Sequence, residues 1–340
     1  MKQTLKAYSA LLLVQLFVQA TLFAGEPPVE KKKTYSKSYS VNNSDVISLS
    51  NQFGEMRVNA WERNEVKVDV TITAKADNDE RAQEILDNIL IEDGREGSGV
   101  YFKTKWKNDR NQKKDKSKDG EHKEEGMTIN YVVYLPARNP VNISNQFGAT
   151  IIPDLSGETK ISSQFGSLDA GKLSKVKSVS IQFGSGTIES VNDGKLDFQF
   201  NNKDIIVNKL TGDVNVNVQH CKSNSVKLNV DNSIKSITLN NSFSDVILSV
   251  PSNLSASYSI STSHGGFTNK SNFNINEEDD KKGSHEYGPR FNQKYSGNSG
   301  GGASKIKVNT NFGDVIISHS MDVKVDAKSK VKEKKKSTVI

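Results

Sequence analysis

The side chains that could do chemistry in this chain are few and scattered. Glycan cleavage needs two carboxylates converging across the scissile bond, or a metal with a cation beside it. Glu55, Asp169, Glu189, Asp245 and Asp314 are the acids expected at the surface. Glu55, Asp245 and Asp314 follow a chain corner at the same register, but their segments are not expected to be neighbours. They read as solvated turn acids, and no catalytic residue is assigned. The five histidines, His122, His220, His264, His285 and His319, lack the HExxH type of ligand spacing. The acidic run "EEDD" at 277–280 lacks the alternate-position oxygens of a calcium loop. No metal site and no cofactor are therefore expected. Cys221, the single cysteine, adjoins His220. Neighbours on a strand point to opposite faces, so a buried thiol is expected rather than a nucleophilic dyad. Basic runs at 103–118 and 324–336 suit an anionic partner such as acidic glycans, lipopolysaccharide or an anionic membrane face, or simply solubility. Aromatics do not interleave with these charges, which argues against nucleic acid.

The elements that would position such groups come from the rest of the chain. It has 340 residues, a net charge of +6 and only 34% hydrophobic residues, so a thin, elongated core is expected rather than a thick one. Residues 1–24 read as a signal peptide: Lys2 and Lys6 precede the apolar run "ALLLVQLFVQATLFA", and Ala24 offers a cleavage point. A retained anchor is the alternative. Export to the periplasm or cell surface follows, and a lone cysteine leaves stability to packing and backbone pairing.

A four-residue phrase organises the remainder. "NQFG" stands at 51–54 and 145–148, followed by "SQFG", "IQFG" and "TNFG". The aligned slot holds Phe53, Phe147, Phe165, Phe183, Phe200, Cys221, Phe243, His264 and Phe312. From Phe147 to His264 the steps are 18, 18, 17, 21, 22 and 21 residues, an interval typical of stacked repeats. Apolar residues alternate before each slot (Val179, Ile181; Leu196, Phe198) and after it (Met56, Val58; Val246, Leu248). Period-two alternation marks strands with one buried face. Gly54, Gly148, Gly166, Gly184 and Gly313 are expected to supply a positive-φ corner between them. A third, weaker apolar element (Leu155; Leu173 and Val176; Leu210 and Val214) completes each unit.

Such a segment cannot bury its own apolar face, but it can on an identical neighbour. The predicted fold class is all-β, a β-solenoid of about nine coils with right-handed winding expected. The phenylalanines should form an interior aromatic ladder, so that Phe165→Ala or Phe183→Ala would cost about 3–5 kcal/mol. Asn51, Asn145 and Asn241 should point inward and bond to one another along the column. An antiparallel sandwich is the rival, but it gives no reason for Phe-Gly at a fixed interval.

The predicted organisation is a linker over 25–40, a solenoid over 41–320 and a basic disordered tail over 321–340. An insertion at 64–135 should comprise a strand, a helix and a long hairpin with a disordered tip at 107–126, capping the N-terminal end. Its helix carries an apolar stripe of Ala82, Ile85, Leu86, Ile89 and Leu90, with Asp77 and Glu80 spaced as a capping box. The Gly- and Ser-rich stretch 270–304 reads as a mobile loop.

The opening "NQFGEMRVNAWERNEVKVDVTITAKA", a following amphipathic helix and the Phe-Gly repeats resemble the bacterial putative adhesin family, in its Bacteroidetes style. Asn51, Gly54, Met56, Val58, Trp61, Val66 and Val68 carry the resemblance, which spans roughly residues 40–320. It implies a β-helical exported domain with a presumed adhesive role. The family defines no catalytic residues, so none is transferred. The expected function is a non-catalytic envelope module for binding or structure. A β-helix carbohydrate-active enzyme is the alternative, and an accessory of envelope-stress signalling a further one. The partner is undefined: envelope glycans, anionic surfaces, or a second copy through the solenoid ends, because "NTNFGDVIIS" reads as a well-formed last rung.

Overall fold

The computed structural model describes residues 28–107, 125–278 and 291–323. The expected signal peptide lies outside them, as do His122, His285 and most of the 107–126 tip, the tail and the basic runs. Among the described residues the protein is all-β, with 21 strands in one sheet and a single helix. No described helix is long and apolar enough to cross a membrane.

The chain divides into two compact units. The smaller draws on Met1–Thr34, Thr71–Leu90 and Lys105–Thr128, the larger on Tyr35–Val70, Ile91–Thr104 and Ile129–Ile340. The helix, Asp79–Asn88, belongs to the smaller unit. Its N-cap is Asn78, not the Asp77 of the expected capping box. The Asn78 side chain accepts from the Arg81 backbone N–H at 2.8 Å, which satisfies one of the free donors of the first turn. Ala82 and Leu86 are its buried face. The expected stripe ran too far: Ile89 already begins the strand Ile89–Glu96, where an Ile-Leu-Ile run favours extended backbone. Arg81 pairs with Glu84 at 3.0 Å and with Glu125 at 2.9 Å on the surface of this unit.

In the larger unit the repeat dictates the architecture. Each rung is a strand, a corner and a second strand, and rungs pair in parallel, residue on equivalent residue. Leu49, Ile143, Ile161, Val179, Leu196, Val216, Leu239, Val308 and Ile260 form one continuous column. All are at most 2% exposed, so the core is a narrow stack of such columns. Beyond the corner a second column runs Met56, Thr150, Leu168, Gly186, Ile205, Val226, Val246, Val315 and Phe267. The third element is also in register: Leu155, Leu173, Val191, Leu210 and Val230 pair in turn. Identical apolar patterns on successive units give in-register parallel pairing, because only that register keeps every inward side chain inward.

Four expectations need correction. Residues 29–40, read as part of a linker, form the strand Val29–Ser40. Parts of the insertion join the sheet of the larger unit itself: Val46–Ser50 pairs in parallel with Gly99–Lys103, and Met56–Trp61 pairs in parallel with Tyr131–Pro136. The stretch 270–304 contains ordered strands. Asn292–Ser299 runs antiparallel to Ala256–Ser263, and Asn274–Glu277 runs antiparallel to Asn292–Ser299.

The fourth correction concerns order. The rung built from Ser304–Asn311 and Val315–Ser318 is not the end of the stack. It lies between Val226–Ser242 with Val246–Ser249 on one side and Ala256–Ser263 with Phe267–Lys270 on the other. The chain passes over a vacant level, builds the next one, and returns to fill the gap. Every rung carries the same apolar pattern, so the pattern cannot encode this order. Association through an exposed "NTNFG" rung loses its basis, since that rung is paired on both sides.

Candidate interaction surface

The corner of each rung places an aromatic residue, and its backbone is the feature that sequence reasoning misread. Phe53, Phe147, Phe165, Phe183, Phe200, His220, Phe243, His264 and Phe312 all have φ between 52° and 63°. The left-handed conformation thus belongs to the aromatic. The six glycines that follow one of these residues, Gly54, Gly148, Gly166, Gly184, Gly265 and Gly313, do not adopt it. Left-handed backbone turns the side chain away from the strand's alternation, so the rings leave the core instead of filling it. They still form a column. Successive centroids are 4.7–5.2 Å apart with planes within 19° of parallel. The spatial order is Phe53, Phe147, Phe165, Phe183, Phe200, His220, Phe243, Phe312, His264 and finally Phe291. The seven phenylalanines other than Phe53 are 45–53% exposed. The expected interior ladder is therefore an exterior one.

His220, not Cys221, takes the sixth slot. The signal that could have found it is the glutamine before the first five rings, Gln52, Gln146, Gln164, Gln182 and Gln199, which recurs as Gln219. From Phe53 to Phe312 each aromatic N–H donates to the carbonyl of the residue preceding the next ring, as in Phe147 to Gln164 and Phe165 to Gln182, both 3.0 Å, and His264 N donates to Phe291 O at 2.9 Å. The glutamine side chains continue the ladder, with Gln146 Nε2 donating to Gln164 Oε1 at 3.1 Å and Gln164 Nε2 to Gln182 Oε1 at 3.4 Å. Beyond this row, Asn309 donates to Asn240 at 2.9 Å and Asn240 to Asn217 at 3.1 Å. The outer face beside the rings is thus largely a sheet of uncharged amides and hydroxyls.

On the other side of each ring the chain must come very close to the next rung. A Cβ built on Gly148 would lie 1.9 Å from the Gly54 carbonyl oxygen, on Gly166 1.9 Å from that of Gly148, and on Gly184 2.1 Å from that of Gly166. Glycine is required here by this close backbone approach. Asn201, Cys221 and Ser244 hold the same slot in the middle rungs and are buried. Asn201 turns the position to use: its Oδ1 accepts from Gly184 N at 2.8 Å and its Nδ2 donates to Ile181 O at 3.0 Å.

Cys221 Sγ lies 3.7 Å from Asn201 Nδ2 and 3.5 Å from Phe198 O, and burial pushes its thiol above the ordinary cysteine range. His220 faces the outer column, so the two do not form a dyad. Alkylation of Cys221 by iodoacetamide at pH 8 should therefore be negligible in the folded protein and complete in denaturant; equal rates in both states would contradict this burial.

Asn51, Asn145 and Asn241 are buried as expected, but they mostly serve the corners. Asn145 Nδ2 donates to Gly54 O at 3.1 Å and Ala149 O at 3.0 Å, and Asn241 Nδ2 to Ser244 O at 2.6 Å. Asn51 Oδ1 accepts from Thr104, whose hydroxyl is 2.9 Å from that of Tyr131. Burial pushes the Tyr131 phenol up to about 12.

The acids are closer together than the sequence suggested. Asp245 and Asp314 occupy adjacent rungs, because the inserted rung brings them together. Their carboxylates are used structurally: Asp245 Oδ1 accepts from Asp314 N at 3.0 Å, and Asp314 Oδ1 from Gly266 N at 2.8 Å. Ser223 also donates to Asp245. Glu55 pairs with Arg57 at 2.9 Å, several rungs away. Asp169 lines a shallow depression of about 300 Å³ with Ser167, Ser185, Thr187, Asp204 and Ile206. Among the described residues no three His, Cys, Asp or Glu side chains could jointly hold a metal ion. His319 bonds Val250 O and Asn272, each at 2.8 Å.

The left-handed conformation carries the argument of this surface. It costs an L-residue roughly 1–2 kcal/mol, and only glycine, asparagine and aspartate adopt it readily. For a bulky residue it is an outlier, and such strain persists mainly where function holds it. Stacking on the surface returns about 0.5–1.5 kcal/mol per pair. Asparagine would hold each corner with less strain and no exposed apolar area. A row of phenylalanines there is not what the fold alone would select.

No family model matches the chain, and no curated protein matches it. It is similar to solved structures of a putative cell adhesion protein from Clostridium sporogenes (11% identity, 85% of this chain and 99% of that one, TM-score 0.24) and a putative adhesin from Bacteroides fragilis (8%, 84% and 98%, 0.36). A third is a putative lipid binding protein from Parabacteroides distasonis (8%, 84% and 96%, 0.31).

Proposed function

We propose that this chain is an exported, non-catalytic β-solenoid of about nine coils, a binding or structural module of the cell envelope whose working surface is the aromatic column. One observation carries the reading: exposed rings repeated on every rung in a backbone conformation that disfavours them. The in-register parallel pairing of the larger unit supports the solenoid, and the charge-bearing start with its apolar run supports export. The acids that come together, Asp245 and Asp314, spend an oxygen each on backbone N–H groups of the next rung. That use leaves them poorly placed as an acid/base pair.

The test is to incubate the full chain with a panel of envelope glycans and anionic vesicles, measuring binding and product release together. Binding without turnover is the expected result. Specific turnover abolished by Asp245→Asn or Asp314→Asn, with circular dichroism unchanged, would replace this reading with a β-helix hydrolase or lyase.

A further inference from the structure

We propose that two copies of this chain meet side by side, aromatic column against aromatic column. The inference rests on reading the column as the working surface, and it names the partner.

The way the rings are presented limits what can bind them. Every ring between Phe53 and Phe291 has both faces covered by the rings above and below, at 4.7–5.2 Å and nearly parallel. Sugars, nucleobases and cations are all recognised over ring faces. What remains outward is a strip of C–H edges, which can make apolar contact and little else. A membrane surface would call for cations alongside that strip. The neighbouring row instead consists of uncharged glutamines such as Gln146, Gln164 and Gln182. On the other flank, beside Phe165 and Phe183, lie glycines, an alanine and serines with one cation, Lys203.

The area matches a dimer. Seven phenylalanines about half exposed present roughly 700 Å² of ring, taking some 200 Å² for each side chain. That exceeds the usual largest apolar patch of a monomer and approaches the roughly 800 Å² that each partner contributes to a standard interface. The column repeats at one strand spacing over about 40 Å, with neighbouring rings nearly parallel throughout. A two-fold axis across it therefore lays each column on the other with every rung in contact, which is the self-complementarity an isologous pair needs. Lys203 is the one charged side chain lining the depression beside Phe165 and Phe183, and its flexible stem lets the ammonium stay at the edge of the seam, where the amide rows become a hydrogen-bonding rim.

The experiment compares the full chain with a Phe165→Asn/Phe183→Asn double variant by sedimentation equilibrium across a hundredfold range of concentration. Asparagine suits the left-handed corner, so the variant should keep its circular dichroism and melting temperature. A wild-type dimer whose dissociation constant rises at least about tenfold for each ring removed would support the proposal. A dimer of unchanged affinity in the variant would overturn it, as would a wild type that stays monomeric. In the monomeric case, binding to neutral phosphatidylcholine vesicles or to the glycan panel decides what else falls. If the wild type binds and the variant does not, the column remains an interaction surface with a different partner. If the two behave alike, the reading of the column as the working surface fails as well.

Discussion

Gly166→Ala is expected to destabilise the protein by about 4 kcal/mol or more, enough to threaten folding of a domain of ordinary stability. The added methyl would stand 1.9 Å from the carbonyl oxygen of Gly148, 2.7 Å from its carbonyl carbon and 3.0 Å from its nitrogen. All three are backbone atoms, so no side chain can swing aside. Relief requires the two rungs to part, and they are fastened on either side of this point. Before it Phe147 N donates to Gln164 O at 3.0 Å, and after it Leu168–Ala170 pairs in parallel with Thr150–Ile152. The φ of Gly166 is not positive, so the effect would come from contact and not from backbone preference. Urea denaturation followed by circular dichroism measures it. A loss below about 1 kcal/mol would mean that neighbouring rungs can separate locally at little cost.

Phe198→Ala should cost about 3–5 kcal/mol, as deletion of a large, fully buried ring usually does. Phe198 is 0% exposed and is paired between Ile181 of one rung and Val218 of the next. The same column begins as Asn51 and Asn145 and ends as Thr310 and Thr262, so its middle is apolar and its ends are polar. The backbone around Phe198 is pinned by rung pairing on both sides and cannot collapse into the cavity, which puts the loss toward the upper end of the range. The corner phenylalanines should behave differently. Phe165→Asn removes a half-exposed ring and relieves a strained corner, so stability should change by no more than about 1 kcal/mol. Comparing the two by chemical denaturation separates interior from exterior aromatics. Equal losses would place Phe165 in the core and contradict its exposure.

The misreading of the rings has a definite cause. Leu49, Asn51 and Phe53 alternate, and alternation points all three inward. For Leu49 and Asn51 that is right: both are buried. It fails at Phe53 because alternation holds only while the backbone stays extended, and φ there is 63°. Propensity assigns the left-handed conformation to the glycine beside it, so the strain at the ring shows only in the folded chain. Cys221 was misaligned for a related reason. Matching on apolar character favours the thiol, whereas the glutamine that precedes the first five rings marks His220.

The sequence alone determined the strands, their buried face and the repeat, because burying one face of a short segment on a copy of itself leaves a single satisfactory register. It also marked the glycine slots, although for the wrong reason: close approach between rungs, seen only when they are stacked, is what excludes a side chain there. Tertiary structure alone decided that the rings line the outside, and that Ser304–Ser318 fills a level between two rungs that precede it in the chain. Both lie beyond local pattern. The first depends on a torsion the residue does not prefer, and the second on a choice among levels whose apolar patterns are equivalent.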